Sequence, residues 1–273
     1  MDVQTTLEYL TDSSKYNIEK PFLVYPAAND GWEADDPRLH NISWSERPVV
    51  IRDVRNREPP AAETSGFQWI EHKTAFPKIV EEADMEGYMR EVESVLLNHF
   101  KADKVICYDC ILRENRPLRN EAFDTDNKLS VDRPPRGAHV DYTLESGVSI
   151  LKDMVPDNIK EEYFQGGYRF RIIKYAPLMN NVIFPVAETL PNSLWRPLLA
   201  KCEDRPLAVC DFSSIDPEDL IAADRVYPHK RSEIFYLQYR PSHSWHWLSN
   251  QTPNEPVIMT MFDTKAGPHA RCA

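Results

Sequence analysis

Apolar residues recur along this chain in two rhythms. Between Pro77 and about Lys101 the residues Met85, Tyr88, Met89, Val92, Val95, Leu96, His99 and Phe100 fall at three- and four-residue spacing, the mark of one apolar helix face. Pro77 suits the first turn of that helix, and acidic residues at 81, 82 and 84 suit the positive end of its dipole. Elsewhere the rhythm is shorter. Residues 48–55, 66–70, 104–112, 168–173, 205–211, 233–239, 245–248 and 257–262 are β-branched, aromatic or alternating runs that predict strands. Asp216-Pro217 predicts a short helix with an aspartate N-cap and proline at its first position. Residues 1–47 show little periodicity and read as an irregular arm anchored by Tyr9, Phe22, Tyr25 and Trp32.

Many short strands after one long helix, without a βαβ rhythm, predict a mainly β (α+β) chain, an antiparallel jelly roll with flanking helices. The length, 273 residues, is ordinary for one such domain, with the arm at 1–47 and the core at 48–273. Proline is abundant (22) and glycine scarce (8), which fits extended segments joined by rigid turns.

A net charge of −11 argues against a nucleic-acid backbone or an anionic membrane as partner. The N-terminus has neither a basic start nor an apolar run, and no stretch approaches eighteen apolar residues. Together with five cysteines, an odd number, this predicts a cytoplasmic chain with reduced thiols. Cys107 and Cys110 form a lone C-x-x-C with no second pair to complete a zinc site, so Cys107 reads as a buried strand residue.

The chemistry centres on residues 133–143. His139 and Asp141 stand two apart in an extended run, so their side chains share one face. An imidazole and a carboxylate side by side are two parts of a 2-His-1-carboxylate iron site. Spacing alone does not decide it: with eight histidines in an Asp-rich chain, a solvated pair at a strand end explains it equally well. His229, His246 and His269 are the candidates for a third ligand. The polar, non-periodic segment 113–133 just upstream has the length of a substrate lid.

Four stretches taken in order carry a resemblance. They are Val50-Ile-Arg-Asp-Val-Arg55 with Gly66-Phe67; Ala138-His-Val-Asp-Tyr-Thr143; Leu194-Trp-Arg-Pro-Leu198 with Arg205-Pro-Leu-Ala-Val-Cys-Asp211; and Trp245-His-Trp-Leu-Ser249 leading to Met261-Phe-Asp-Thr264. From about residue 48 the chain resembles the fungal gibberellin-desaturase-like hydroxylase/desaturase family. The resemblance implies a double-stranded β-helix and an oxygenase using Fe(II) and 2-oxoglutarate to hydroxylate or desaturate a small hydrophobic natural product. It also implies His139, Asp141 and His269 as metal ligands, Arg196 and Arg271 as partners of the 2-oxoglutarate carboxylate (Arg169 and Arg171 are weaker choices), and Tyr142 and Trp195 in the substrate pocket.

The chain departs from that family twice. Residues 175–193 intervene where the family runs almost directly from a strand like 169–173 into its Trp-Arg-Pro element, so they read as a candidate insertion. At the C-terminus, Pro268-His269 stands for a rearranged distal-histidine element, or Ala270-Arg271 matches an Ala-Arg run that precedes that histidine. The second alignment removes the third ligand, and leaves a non-oxidative isomerase or cyclase, or an inactive family member, as the rival to the oxygenase.

Overall fold

The structure is a computed structural model that describes residues 1–26, 31–32, 36–114, 127–132, 134–165, 167–175, 180–186 and 196–265. In chain order its strands are β1 (Val3–Leu10), β2 (Phe22–Val24), β3 (Trp44–Asp53), β4 (Phe67–Trp69), β5 (Ile106–Cys107), β6 (Leu112–Arg113), β7 (Val131–Asp132) and β8 (His139–Val140). They continue with β9 (Arg169–Tyr175), β10 (Asn180–Val186), β11 (Val209–Cys210), β12 (Leu220–Val226), β13 (Arg231–Leu237), β14 (Trp245–Trp247) and β15 (Val257–Asp263). The helices are α1 (Ala62–Ser65), α2 (Glu82–Phe100), α3 (Leu144–Met154) and α4 (Asp157–Gln165).

The strands form open sheets in the orders β1-β3-β14-β11, β4-β15-β9-β10-β5 and β2-β12-β13-β8, with β6 and β7 as a separate pair. Helix α2 lays Met85, Tyr88, Val92, Leu96 and Phe100 against the five-stranded sheet, where Ile258 of β15 meets them. The opposite apolar layer holds Phe67, Phe170, Ile172, Met259 and Phe262, with Leu151 of α3 and Tyr142. Every residue of β15 is buried, as a continuous apolar run flanked on both faces requires. No helix among the described residues is long and apolar enough to cross a membrane.

Several expectations change here. The arm at 1–47 contains the full-length strand β1, paired antiparallel to β3 from Val3↔Ile51 to Leu10↔Trp44. Its outer half is exposed and only Tyr9 and Leu10 are buried, so no alternation announces it; pairing with β3 fixes it. Helix α2 starts at Glu82, not at Pro77, because the Asp84 carboxylate accepts the backbone N–H groups of Val80 (2.9 Å) and Glu81 (3.2 Å). Segment 104–112 divides into β5 and the start of β6, and Cys107 is buried in β5.

Helices α3 and α4 were not expected. Thr143 caps α3: its Oγ1 accepts the Ser146 N–H (3.2 Å), and Ser146 Oγ accepts the Thr143 N–H (2.9 Å). Asp216 does cap a turn with Pro217 first, and that turn is a single 3₁₀ turn, Pro217–Asp219. Within 175–193, residues 180–186 form β10, hydrogen-bonded between β9 and β5; 176–179 and 187–193 lie outside the described residues.

Candidate metal centre

Strand β8 is short, and its partner β13 determines which way each side chain points. Val140 pairs with Phe235, and His139 with Tyr236. Val140 faces the apolar layer of Tyr9, Ile51, Leu237 and Trp245 and is fully buried. His139 must therefore take the other face, where its ring lies 6.4 Å from that of Tyr236. After Val140 the chain leaves the sheet, places Asp141 in a bend and enters α3 through the Thr143 cap.

Gly137 sets the imidazole. Its carbonyl oxygen lies 2.8 Å from His139 Nδ1. A carbonyl only accepts, so Nδ1 carries a proton, and in the neutral ring the lone pair is then on Nε2. Nε2 lies 3.4 Å from Asp141 Oδ1, and both side chains are 12% exposed. Two neighbouring donors on an octahedral ion with bonds of about 2.1 Å stand roughly 3 Å apart. An imidazole fixed through its far nitrogen beside a carboxylate oxygen is a donor set that fits iron(II). Among the described residues no third histidine, cysteine, aspartate or glutamate joins the two in a metal-binding group.

Two phenols back this pair. The hydroxyls of Tyr108 and Tyr142 are 3.1 Å apart. Burial, with the Asp141 charge beside it, holds Tyr142 protonated far above the ordinary phenol range, and burial does the same for Tyr108. Tyr142 is thus both a core residue and a neighbour of the carboxylate.

The other expected site residues fall elsewhere. His269, Arg271 and Trp195 lie outside the described residues, as do 115–126 and 133 of the lid segment. His246 bonds Ser244 Oγ through Nε2 (3.0 Å), packs 5.5 Å from the Phe67 ring, and has its pKa lowered by burial. His229 is exposed, 6.4 Å from the Tyr227 ring. Arg196 is buried over the Tyr88 ring at 4.4 Å, with Nε donating to Tyr88 Oη (2.6 Å) and Nη2 to the Phe76 carbonyl (2.5 Å). Those bonds commit it to helix α2 and the approach to it. Arg169 and Arg171 both meet Asp263, through Nε at 2.8 and 3.0 Å, and burial pulls Arg171 down to about 9.

Arg225, Gly137 and Tyr108 were missed. Arg225 sits in a strand that the sequence did not announce, and Gly137 acts through its backbone. The Arg-Gly-Ala-His run was a usable signal for Gly137, since its φ of +75° is the left-handed region that favours glycine.

Comparison with known proteins settles the kinship. The family described as oxidoreductase/YMDC permease-like domain matches residues 7–187 and 192–273. The chain belongs to this family. Among its relatives, the hydroxylase/desaturase efuI of Hormonema carpetanum is 26% identical over 248 residues, covering 84% of this chain and 76% of its own. The Fe(II)/2-oxoglutarate-dependent dioxygenase nvfI of Aspergillus novofumigatus is 26% identical over 243 residues, covering 85% and 76%. The solved structure of a variant of the iron and alpha-ketoglutarate-dependent endoperoxidase NvfI superposes with a TM-score of 0.77 at 22% identity, covering 99% of this chain and 87% of that one. The resemblance to fungal hydroxylase/desaturases read from the sequence is borne out.

Proposed function

We propose that this oxidoreductase-family chain is an Fe(II)/2-oxoglutarate-dependent oxygenase that hydroxylates or desaturates a small hydrophobic natural product. The observation that carries this reading is the convergence of His139 Nε2 and Asp141 Oδ1 at 3.4 Å beneath a fixed tautomer. Iron(II) with 2-oxoglutarate supplies the oxidising chemistry when bound. The chain's own residues do the rest. Gly137 orients the imidazole, Asp141 contributes the anionic donor, and the protonated Tyr108–Tyr142 pair keeps water from the carboxylate's buried side.

We assign the third ligand to His269. In this reading Trp195 and Tyr142 border the substrate, and Arg271 stands near the co-substrate. Arg196 could serve there only by exchanging its bonds to Tyr88 and Phe76. The sheets are read as the halves of a double-stranded β-helix in a single cytoplasmic domain, and the charge of −11 argues against nucleic acid or an anionic membrane as partner.

The test is anaerobic loading with Fe(II), then 2-oxoglutarate and oxygen, with succinate measured. Succinate above the metal-free control is the expected result. A chain that takes up no iron and forms no succinate would overturn the reading, and substrate turnover without iron would replace it with a non-oxidative one.

A further inference from the structure

Arg225 lies on β12, opposite Ser232 of β13 and Leu23 of β2. Ile221, two alternations back along the same face, is opposite Tyr236, and Tyr236 is opposite His139. Arg225, Tyr236 and His139 therefore share one sheet face. Above it, the Tyr25 and Tyr227 rings stack at 4.6 Å and 4°. Tyr25 is 36% exposed and Arg225 is half-buried, so this face meets solvent at its Tyr25 end, while Tyr236 at its centre is buried.

Burial works against the charge of Arg225, whose guanidinium lies among Tyr25, Tyr236, Tyr227 and Asp141 and hydrogen-bonds Tyr236. Asp141 is the one carboxylate among these four neighbours. Nε of Arg225 is shielded from solvent and bonds nothing among the described residues. A shielded guanidinium N–H without an acceptor is costly. When a divalent cation takes the Asp141 carboxylate, the guanidinium also loses its compensating charge.

We propose that Arg225 receives the carboxylate of a ligand bound beside His139 and Asp141. A carboxylate presents two oxygens to the guanidinium fork and restores both the missing acceptor and the missing charge. The proposal rests on the oxygenase reading for the metal. Two sources fit the chemistry: the distal carboxylate of the 2-oxo-acid co-substrate, or an acidic group on the substrate, whose flat apolar part would lie along Tyr25 and Tyr227.

The test uses the full chain with Mn(II) in place of iron and titrates three probes by calorimetry: 2-oxoglutarate, 1-naphthoate and its neutral counterpart 1-naphthamide. Wild type, Arg225→Met and Arg225→Lys are compared, with Mn(II) affinity and thermal melting as controls of fold and metal site. The expected result is a loss of about 10- to 100-fold for a carboxylate probe in Arg225→Met, partly restored in Arg225→Lys, with 1-naphthamide unmoved. A loss confined to 2-oxoglutarate assigns Arg225 to the co-substrate, and one confined to 1-naphthoate assigns it to the substrate. Equal carboxylate affinities in wild type and Arg225→Met would overturn the proposal, as would a wild type that binds neither. A wild type that takes up no Mn(II) sinks the oxygenase reading instead, and the same titrations on metal-free protein still decide the role of Arg225.

Discussion

The carbonyl oxygen of Gly137 lies 2.8 Å from Nδ1 of His139, so a left-handed glycine two residues upstream decides which imidazole nitrogen is available to a metal. At φ +75°, a Cβ on Gly137 would also run into the ring of Trp44, which packs edge-on to Tyr236 at 4.9 Å. Gly137→Ala is expected to cost about 2 kcal/mol or more in denaturant unfolding and to weaken Mn(II) binding. Wild-type stability together with wild-type metal affinity would refute this coupling.

Removing either donor should act on metal affinity rather than on folding. Outer-shell changes at metal sites cost about 10- to 100-fold, and loss of a direct ligand should cost at least that. His139→Ala and Asp141→Asn are each expected to lower Mn(II) affinity by about 100-fold or more in calorimetric titration. If one variant binds as wild type does, that residue is not a ligand.

How much of this was legible beforehand varied with how far each element depends on itself. The stripe of α2 and the apolar run of β15 carry their own burial pattern, and both were read from it. Strand β1 has no such pattern because its partner supplies its hydrogen bonds, and α3 was hidden because its cap belongs to the same Asp141-Tyr-Thr143 stretch that was read as extended. The His139–Asp141 pair was legible from alternation, although Asp141 lies in the bend after the strand. Arg225 was not, since only the pairing of β12 with β13 brings it onto the face of His139.

Tyr88 and Arg196 give a test of packing. The Tyr88 hydroxyl accepts from Arg196 Nε at 2.6 Å, in a place where both residues are buried. Tyr88→Phe removes a buried acceptor for a charged donor, and a stability loss of about 1.5–3 kcal/mol is expected in urea unfolding. A loss under about half a kcal/mol would mean that the bond contributes little.

Asp53 gives an acid dependence. Burial works to raise its pKa, but the Met1 ammonium and the N–H groups of Arg55 (3.0 Å) and Ser249 (3.1 Å) hold it down at about 2. Its folded pKa lies below the unfolded value of about 4, so this contribution is fully present above about pH 4. It is lost as pH falls from about 4 to 2. Asp53→Asn should lower the melting temperature at neutral pH and flatten its fall across that window; an unchanged acid limb would count against it.

Strand β10 is the sole sheet partner of β5 among the described residues, joined through Val182↔Cys107 and Ile183↔Ile106. A transcript spliced to omit codons 175–193 would therefore encode more than a shortened loop. It would strip β5 of its sheet partner, with β9 as the nearest bare edge, although the Cys107 N–H would keep its acceptor, the Glu93 carboxylate at 2.8 Å. The short and long products would then differ in how the sheet closes beneath α2, and protease sensitivity near residue 107 would tell them apart.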